Sequence, residues 1–339
     1  MTTVHVDASK SYDVIISHAC LASVGEYAAK LISPCRAVIV TGEKVFPLYG
    51  KALKKSLEDA GFDVLTFIHE SGEGAKSLST FGELQSFLCR NHVSRTDALF
   101  ALGGGVTGDL TGFAAATYQR GIAYFQIPTT LLAAVDSSVG GKTAINLPEG
   151  KNQVGAFYQP SAVFCDTDTL KTLPPEVYRC GVAEIIKYAV LGDAELFGFS
   201  EKNDIRENEE AVIAHCVKMK RDIVNADEFD LGVRKLLNLG HTIGHAVEKC
   251  SDFAISHGDA VAIGLAAVMR GNKDEERVVS LLKKYGLPTE CPFSADEITR
   301  ACLSDKKIEH GVLQLIVPEK IGSCKIVPTE ISMLEKMIK

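Results

Sequence analysis

His241 and His245 sit four residues apart in LLNLGHTIGHAVE, where Leu236, Leu237, Ile243 and Val247 recur at helical spacing. On a helix over Leu236–Glu248 both imidazoles share one face. His257 follows, just before a Gly-Asp pair, so three of the chain's nine histidines fall between residues 241 and 257. Imidazole is the commonest metal ligand and the side chain most easily poised for proton transfer near neutral pH. The plain alternative is a polar helix face with solvated histidines, because HxxxH pairs are common. Lys220, Arg234, Asn238 and Glu248 crowd the same stretch and weigh toward a site.

Upstream, Glu184 and Lys187 lie three apart in the otherwise apolar GVAEIIKYAV. An i,i+3 ion pair explains them simply. Two charges in so apolar a helix need partners if buried, which favours a site or a metal. Gly103-Gly104-Gly105-Val106-Thr107-Gly108 satisfies G-x-G-x-x-G between a strand signal and a helix signal. Such glycines let a backbone approach a pyrophosphate at a helix N-terminus, although a tight strand-to-helix turn accounts for them as well. Asp109 is then a helix-start acid or a ribose ligand. Thr129 and Thr130, after Pro128, are phosphate donors or helix caps. Lys142 and Lys151 are glycine-flanked in what reads as a loop region. Asp136 replaces the first glycine of a P-loop there, so that motif is excluded. Arg120, Lys142, Lys151, Lys187, Lys220 and Arg234 gather in the glycine-rich or histidine-rich segments of a chain with net charge −7, and together imply an anionic small molecule carrying phosphate and carboxylate.

The elements that must position these residues change character along the chain. RAVIVTG (36–42), DVLTFI (63–68), ALFALGGG (98–105) and AYFQIPTT (123–130) read as strands alternating with helical patterns, including 78–89. Near-continuous apolar strands of this kind belong to a parallel sheet covered on both faces. After about Phe164 long helical periods take over, at 175–191, 209–224, 236–248, 259–269 and 274–284, with only VLQLIVP and SCKIVP extended. The expected architecture is an α/β, Rossmann-like nucleotide-binding domain over residues 1–164 and a mainly α-helical domain over 165–339, with the site between them. A length of 339 residues suits about two domains, and 46% hydrophobic content fills their cores. The acidic balance, with no basic run, argues against nucleic acid, and no stretch of about 18 apolar residues spans a membrane. Ten cysteines without CxxC spacing, and an N-terminus lacking an apolar signal core, suit a cytoplasmic location.

GGGVTGDLTGFAAATYQRGI, IPTTLLAAVDSSVGGKTAIN, GKNQVGAFYQP, GVAEIIKYAV and LLNLGHTIGHAVE…HGD occur in this order. Together they resemble the motifs of the 3-dehydroquinate synthase family, within the sugar phosphate cyclases, from about Gly42 to Ile326. That resemblance implies an enzyme using NAD and a divalent metal, Zn2+ or alternatively Co2+, to convert 3-deoxy-D-arabino-heptulosonate 7-phosphate into 3-dehydroquinate and phosphate in the shikimate pathway. It implies Glu184, His241 and His257 as metal ligands, with His245 on the substrate side, against the HxxxH reading of the spacing. Asp136, Lys142, Lys187, Lys220, Arg234, Asn238 and one of Lys306 or Lys307 match substrate positions. Glu73, Lys76, Gly104, Gly105, Asp109, Thr129, Thr130, Lys151, Asn152 and Thr172 match cofactor contacts, with Lys142 and Asn152 also near the phosphate.

Where the family often has an Asp and an Asn after the first strand, this chain has Gly42 and Lys44, with Glu43 as the available substitute. The segment after Met269 is shorter than usual. His245 with Glu248, at i,i+3, is the candidate proton shuttle. Arg120 resembles an arginine that reaches the phosphate of a neighbouring subunit in a homodimer, and a sheet-edge position beside it would let two subunits pair strands. Another sugar phosphate cyclase, a metal-dependent polyol dehydrogenase and a non-catalytic metal- or NAD-binding scaffold are the alternatives. The carboxylate-seeking set Lys220, Arg234 and Asn238 separates the first, and a net redox product the second.

Overall fold

In the computed structural model, which describes residues 1–303, 312–330 and 334–338, the apolar runs of the first half form a seven-stranded sheet. Its strands are β1 (Thr2–Val6), β2 (Tyr12–Ser17), β3 (Arg36–Gly42), β4 (Asp63–His69), β5 (Ala98–Gly103), β6 (Ala123–Pro128) and, after a separate hairpin of β7 (Lys142–Leu147) and β8 (Gly150–Phe157), β9 (Ala162–Asp166). The order is β1-β2-β9-β6-β5-β3-β4, and every pairing is parallel except β1 with β2. Alternate residues of one strand enter opposite cores, as the period of two demands. Ala37 and Ile39 of β3 join Phe100, Phe125 and Phe164 on one face, beneath α1 (Val24–Leu31) and α2 (Lys51–Asp59). Val38 and Val40 join Leu99 and Tyr124 on the other, beneath α3 (Leu78–Arg90) and α4 (Gly105–Thr117). Double coverage explains why these strands read as continuous apolar runs.

The chain runs from β3 outward to β4, then returns to the other side of β3 to lay down β5 and β6. Strand order therefore reverses between β3 and β5. The loops leaving the C-terminal ends of these two strands flank the crevice where open α/β sheets take their ligands. Gly103–Gly105 occupies one of those loops. β6 is an interior strand between β9 and β5, so the edge position expected beside Arg120 does not exist; β1 and β4 form the edges. Lys142 and Lys151 stand on the β7–β8 hairpin instead of a loop.

Two compact units emerge, and the division falls at Leu173 instead of residue 164. Asp166, at the end of β9, accepts hydrogen bonds from the backbone N–H groups of Ala19, Leu21 and Asp168, which ties the turn that follows to the sheet unit. Residues 220–229 also belong to that unit. Glu228 accepts from Ser9 N at 2.8 Å, Ser9 Oγ at 2.6 Å and Gln159 Nε2 at 2.8 Å.

The second unit comprises α5 (Pro175–Gly192), α6 (Ala194–Lys202), the first part of α7 (Glu209–Ala226), α8 (His241–Cys250), α9 (His257–Met269), α10 (Glu275–Lys284), α11 (Ala295–Leu303), α12 (Leu334–Ile338) and an antiparallel hairpin of β10 (Val312–Lys320) and β11 (Ser323–Glu330). The helix expected from Leu236 begins only at His241. Gly240, at φ 75°, breaks it from a short 3-10 segment, Val233–Asn238. Among the described residues no helix is long and apolar enough to cross a membrane.

Candidate active site

Three helices of the second unit bring the chemistry together. α5 is buried continuously from Gly181 to Leu191, so the two charges in that stretch, Glu184 and Lys187, are each 1% exposed. Lys187 Nζ lies 2.5 Å from Glu184 Oε2. The other oxygen, Oε1, faces His241 Nε2 at 3.3 Å and His257 Nε2 at 3.4 Å. Such convergence requires helix backbones to approach closely, and small residues permit it. A Cβ on Gly264 would lie 2.0 Å from the Gly240 carbonyl oxygen, so only glycine lets α9 seat against the start of α8. A Cβ on Gly258 would likewise lie 2.3 Å from Cys180 Cα on α5.

Electrostatics at this cluster favour a cation. Burial alone would push the Glu184 carboxyl up, but the Lys187 ammonium and the two imidazoles outweigh it and hold the group well below the usual carboxylate range. Burial likewise favours a neutral His257, yet hydrogen bonds to Glu184 and Glu248 lift it to about 10. The donor set also fits a divalent ion. Bonds of about 2.0–2.2 Å in a tetrahedral zinc site place donor atoms roughly 3.3–3.5 Å apart, the spacing seen from Oε1 to both ring nitrogens. Backbone and carboxylate partners set the tautomers. His241 Nδ1 is 3.1 Å from the Leu239 carbonyl and His257 Nδ1 is 3.3 Å from Glu248 Oε2, which leaves each Nε2 toward Glu184. Glu184, His241 and His257 thus form one potential ligand group, whereas His245 falls with Glu248 and His257 in a second. The i,i+4 pair shares a face, with ring centroids 5.4 Å apart, but only its first member meets the buried carboxylate. Arg234 is buried and Asn238 half-buried on the preceding 3-10 segment.

Within the sheet unit, Lys76 is the centre of a polar network. Its buried ammonium contacts Asp109 on α4 and donates to Asn152 Oδ1 at 2.5 Å. Burial raises the Asp109 carboxyl despite that ammonium. Asn146, which no sequence motif marks, connects Glu73 Oε1 at 2.8 Å, the Lys76 carbonyl at 2.8 Å and the Asn152 N–H at 2.8 Å. Gly104 caps α4 and Gly105 opens it. Thr129 N–H donates to the Gly103 carbonyl at 2.9 Å, while Thr130 Oγ1 accepts from Ala133 N at 3.3 Å and so acts as a cap. Thr172 meets Tyr49, which no sequence motif marks, at 2.5 Å. Glu43 follows β3 and accepts from Ser71 N at 3.4 Å. Lys220 Nζ pairs with Asp136 Oδ1 at 2.9 Å and donates to its carbonyl at 2.7 Å. Lys142 is exposed and Lys151 half-buried on their hairpin, and Arg120 is exposed with φ 66°. Lys306 and Lys307 lie outside the described residues.

Two family profiles match the chain: 3-dehydroquinate synthase N-terminal over residues 66–180 and 3-dehydroquinate synthase C-terminal over 181–308. A 3-dehydroquinate synthase of Enterococcus faecalis is 44% identical over 336 residues, covering 94% of each chain. The chain belongs to the 3-dehydroquinate synthase family. Similar solved structures agree with this fold. A 2-deoxy-scyllo-inosose synthase, complexed with carbaglucose-6-phosphate, NAD+ and Co2+, superposes with a TM-score of 0.88 at 26% identity over 99% of both chains. A 2-epi-5-epi-valiolone synthase from Streptomyces hygroscopicus, with NAD+ and Zn2+ bound, gives 0.88 at 27% identity over 98% of this chain and 97% of that one.

The ligand grouping makes a prediction that elemental analysis checks. The purified protein should hold one zinc or cobalt ion per chain. His257→Ala should weaken metal affinity beyond the roughly 10–100-fold typical of outer contacts. His245→Ala should keep its metal while turnover drops. Metal loss in His245→Ala would restore the HxxxH pair as the ligand set.

Proposed function

We propose how the residues described above carry out the activity of this chain, which is that of a 3-dehydroquinate synthase, a carbon–oxygen lyase of aromatic amino acid biosynthesis. The substrate is 3-deoxy-D-arabino-heptulosonate 7-phosphate and the products are 3-dehydroquinate and phosphate. The convergence of one buried carboxylate and two imidazoles beside a buried lysine carries this reading. When bound, NAD accepts and returns one electron pair, and a divalent ion, Zn2+ or Co2+, supplies Lewis acidity toward hydroxyl and carbonyl oxygens.

Glu184, His241 and His257 hold the ion, and Lys187 keeps the Glu184 carboxylate charged and oriented. His245 takes the proton of the hydroxyl that is oxidised, with Glu248 in its group as the relay partner. Oxidation acidifies the neighbouring C–H, and the departing phosphate accepts that proton itself, so no dedicated base is needed for the elimination. Lys142, Asn152 and Arg120 are assigned to the phosphate, and Lys220, Arg234, Asn238 and one of Lys306 or Lys307 to the carboxylate and hydroxyls. Asp136 fixes the Lys220 ammonium. NAD is assigned to Glu73, Lys76, Gly104, Gly105, Asp109, Thr129, Thr130, Lys142, Lys151, Asn152 and Thr172, and the N–H groups at the start of α4 would supply donors for an anionic group. A cytoplasmic location suits ten free cysteines.

Because the electron pair returns within each cycle, phosphate should appear from substrate, NAD and zinc with no matching build-up of NADH absorbance. Stoichiometric NADH, formed from a simple polyol, would instead support the dehydrogenase alternative.

A homodimer in which Arg120 reaches the partner's phosphate completes the reading. Gln119, Arg120 and Gly121 all have positive φ, and Arg120 is exposed. Arg120→Ala and Lys142→Ala should each be nearly inactive. Random subunit exchange between them should restore about a quarter of wild-type activity, because about half the dimers are mixed and half of their sites intact. No recovery after verified exchange means that Arg120 serves its own chain.

A further inference from the structure

We propose that the ion pair between Arg179 and Asp259 is a positioning device for the metal ligands: it holds the first turn of α9, and with it His257, in register with Glu184 on α5. The inference rests on the ligand set proposed above and concerns residues given no role there.

The ligands differ in how packing fixes them. Glu184 sits in the buried middle of α5, its side chain 1% exposed. His257 is the first residue of its helix, its side chain 34% exposed. Helix ends fray, and burial holds this ring far less firmly. Residues around it supply what burial does not. Arg179 Nε donates to Asp259 Oδ1 at 3.1 Å and Nη2 to Oδ2 at 2.9 Å, a fork on both oxygens of the carboxylate. Paired bonds of this kind fix orientation as well as distance. Ser256, the helix cap, accepts from Asp259 N at 3.2 Å and from Cys180 Sγ at 3.2 Å. Gly258 lies directly against Cys180. Residues 256–259 are thereby held by side chain, cap and backbone to residues 179–180, little more than one helical turn before Glu184. Asp259 also complements the positive end of α9.

A second forked pair in the same unit gives a matched control. Arg277 donates to Glu201 at 3.0 and 2.7 Å, joining α10 to α6, and neither helix carries a proposed metal ligand. Chelator-stripped protein would be titrated with Co2+, reading affinity from the absorption of the bound ion, and melting temperature would be recorded without metal. Arg179→Lys and Asp259→Asn should weaken cobalt binding about tenfold or more, the scale of outer-contact losses, while turnover at saturating cobalt stays near wild type. Arg277→Lys should lower the melting temperature by a similar amount and leave cobalt affinity unchanged. Unchanged affinity in Arg179→Lys and Asp259→Asn would overturn the inference and leave the ligand set intact. A wild-type protein that binds no cobalt, or a His257→Ala protein that binds it equally well, would overturn both.

Discussion

Everything in the second unit turns on one buried negative charge. Glu184 lies in the middle of an apolar helix, where an isolated carboxylate could not stay ionised. Lys187 compensates it from one side and two imidazoles from the other. Removing one partner from such a buried pair costs about 3–5 kcal/mol, so the helices that carry those partners are constrained together. Glycine at the α8–α9 and α5–α9 contacts, the cap at Ser256 and the Arg179–Asp259 fork all serve that constraint. A divalent ion satisfies the same electrostatic demand and adds open coordination positions for substrate oxygens.

In the sheet unit the governing constraint is topological. Reversal of strand order between β3 and β5 leaves two C-terminal loops facing one crevice, and the helix starting at Gly105 presents its N–H groups there. The Lys76–Asp109–Asn152 network then ties that helix to the tip of the β7–β8 hairpin. An ammonium with so little solvent needs two polar partners, which explains why residues as far apart as 76, 109 and 152 act as one group.

Much of this was legible in the chain and some was not, for physical reasons. Continuous apolar runs disclosed the inner strands β3, β5 and β6, because both their faces are covered. The β7–β8 hairpin read as a loop because Gly, Asn and Lys dilute its strand signal and β8 is mostly exposed or half-buried. Helical spacing carried the HxxxH segment too far upstream, since Leu236 and Leu237 fit the period although Gly240 breaks the helix. Spacing alone could not choose between His241 and His245. The deciding partner, Glu184, is remote in sequence and reaches His241 only through the packing of α5, α8 and α9. The resemblance to family motifs supplied that choice, and the distances from Glu184 Oε1 are consistent with it. No motif marks Asn146 or Tyr49 for a related reason: the contacts with Glu73 and Thr172 arise only from long-range packing.

X-ray absorption fine structure at the zinc edge of the loaded protein probes the ligand set most directly. The ligand set Glu184, His241 and His257 predicts scattering from two imidazoles and one carboxylate, unchanged in His245→Ala. A third imidazole in the wild type, or the loss of one imidazole in His245→Ala, would contradict it.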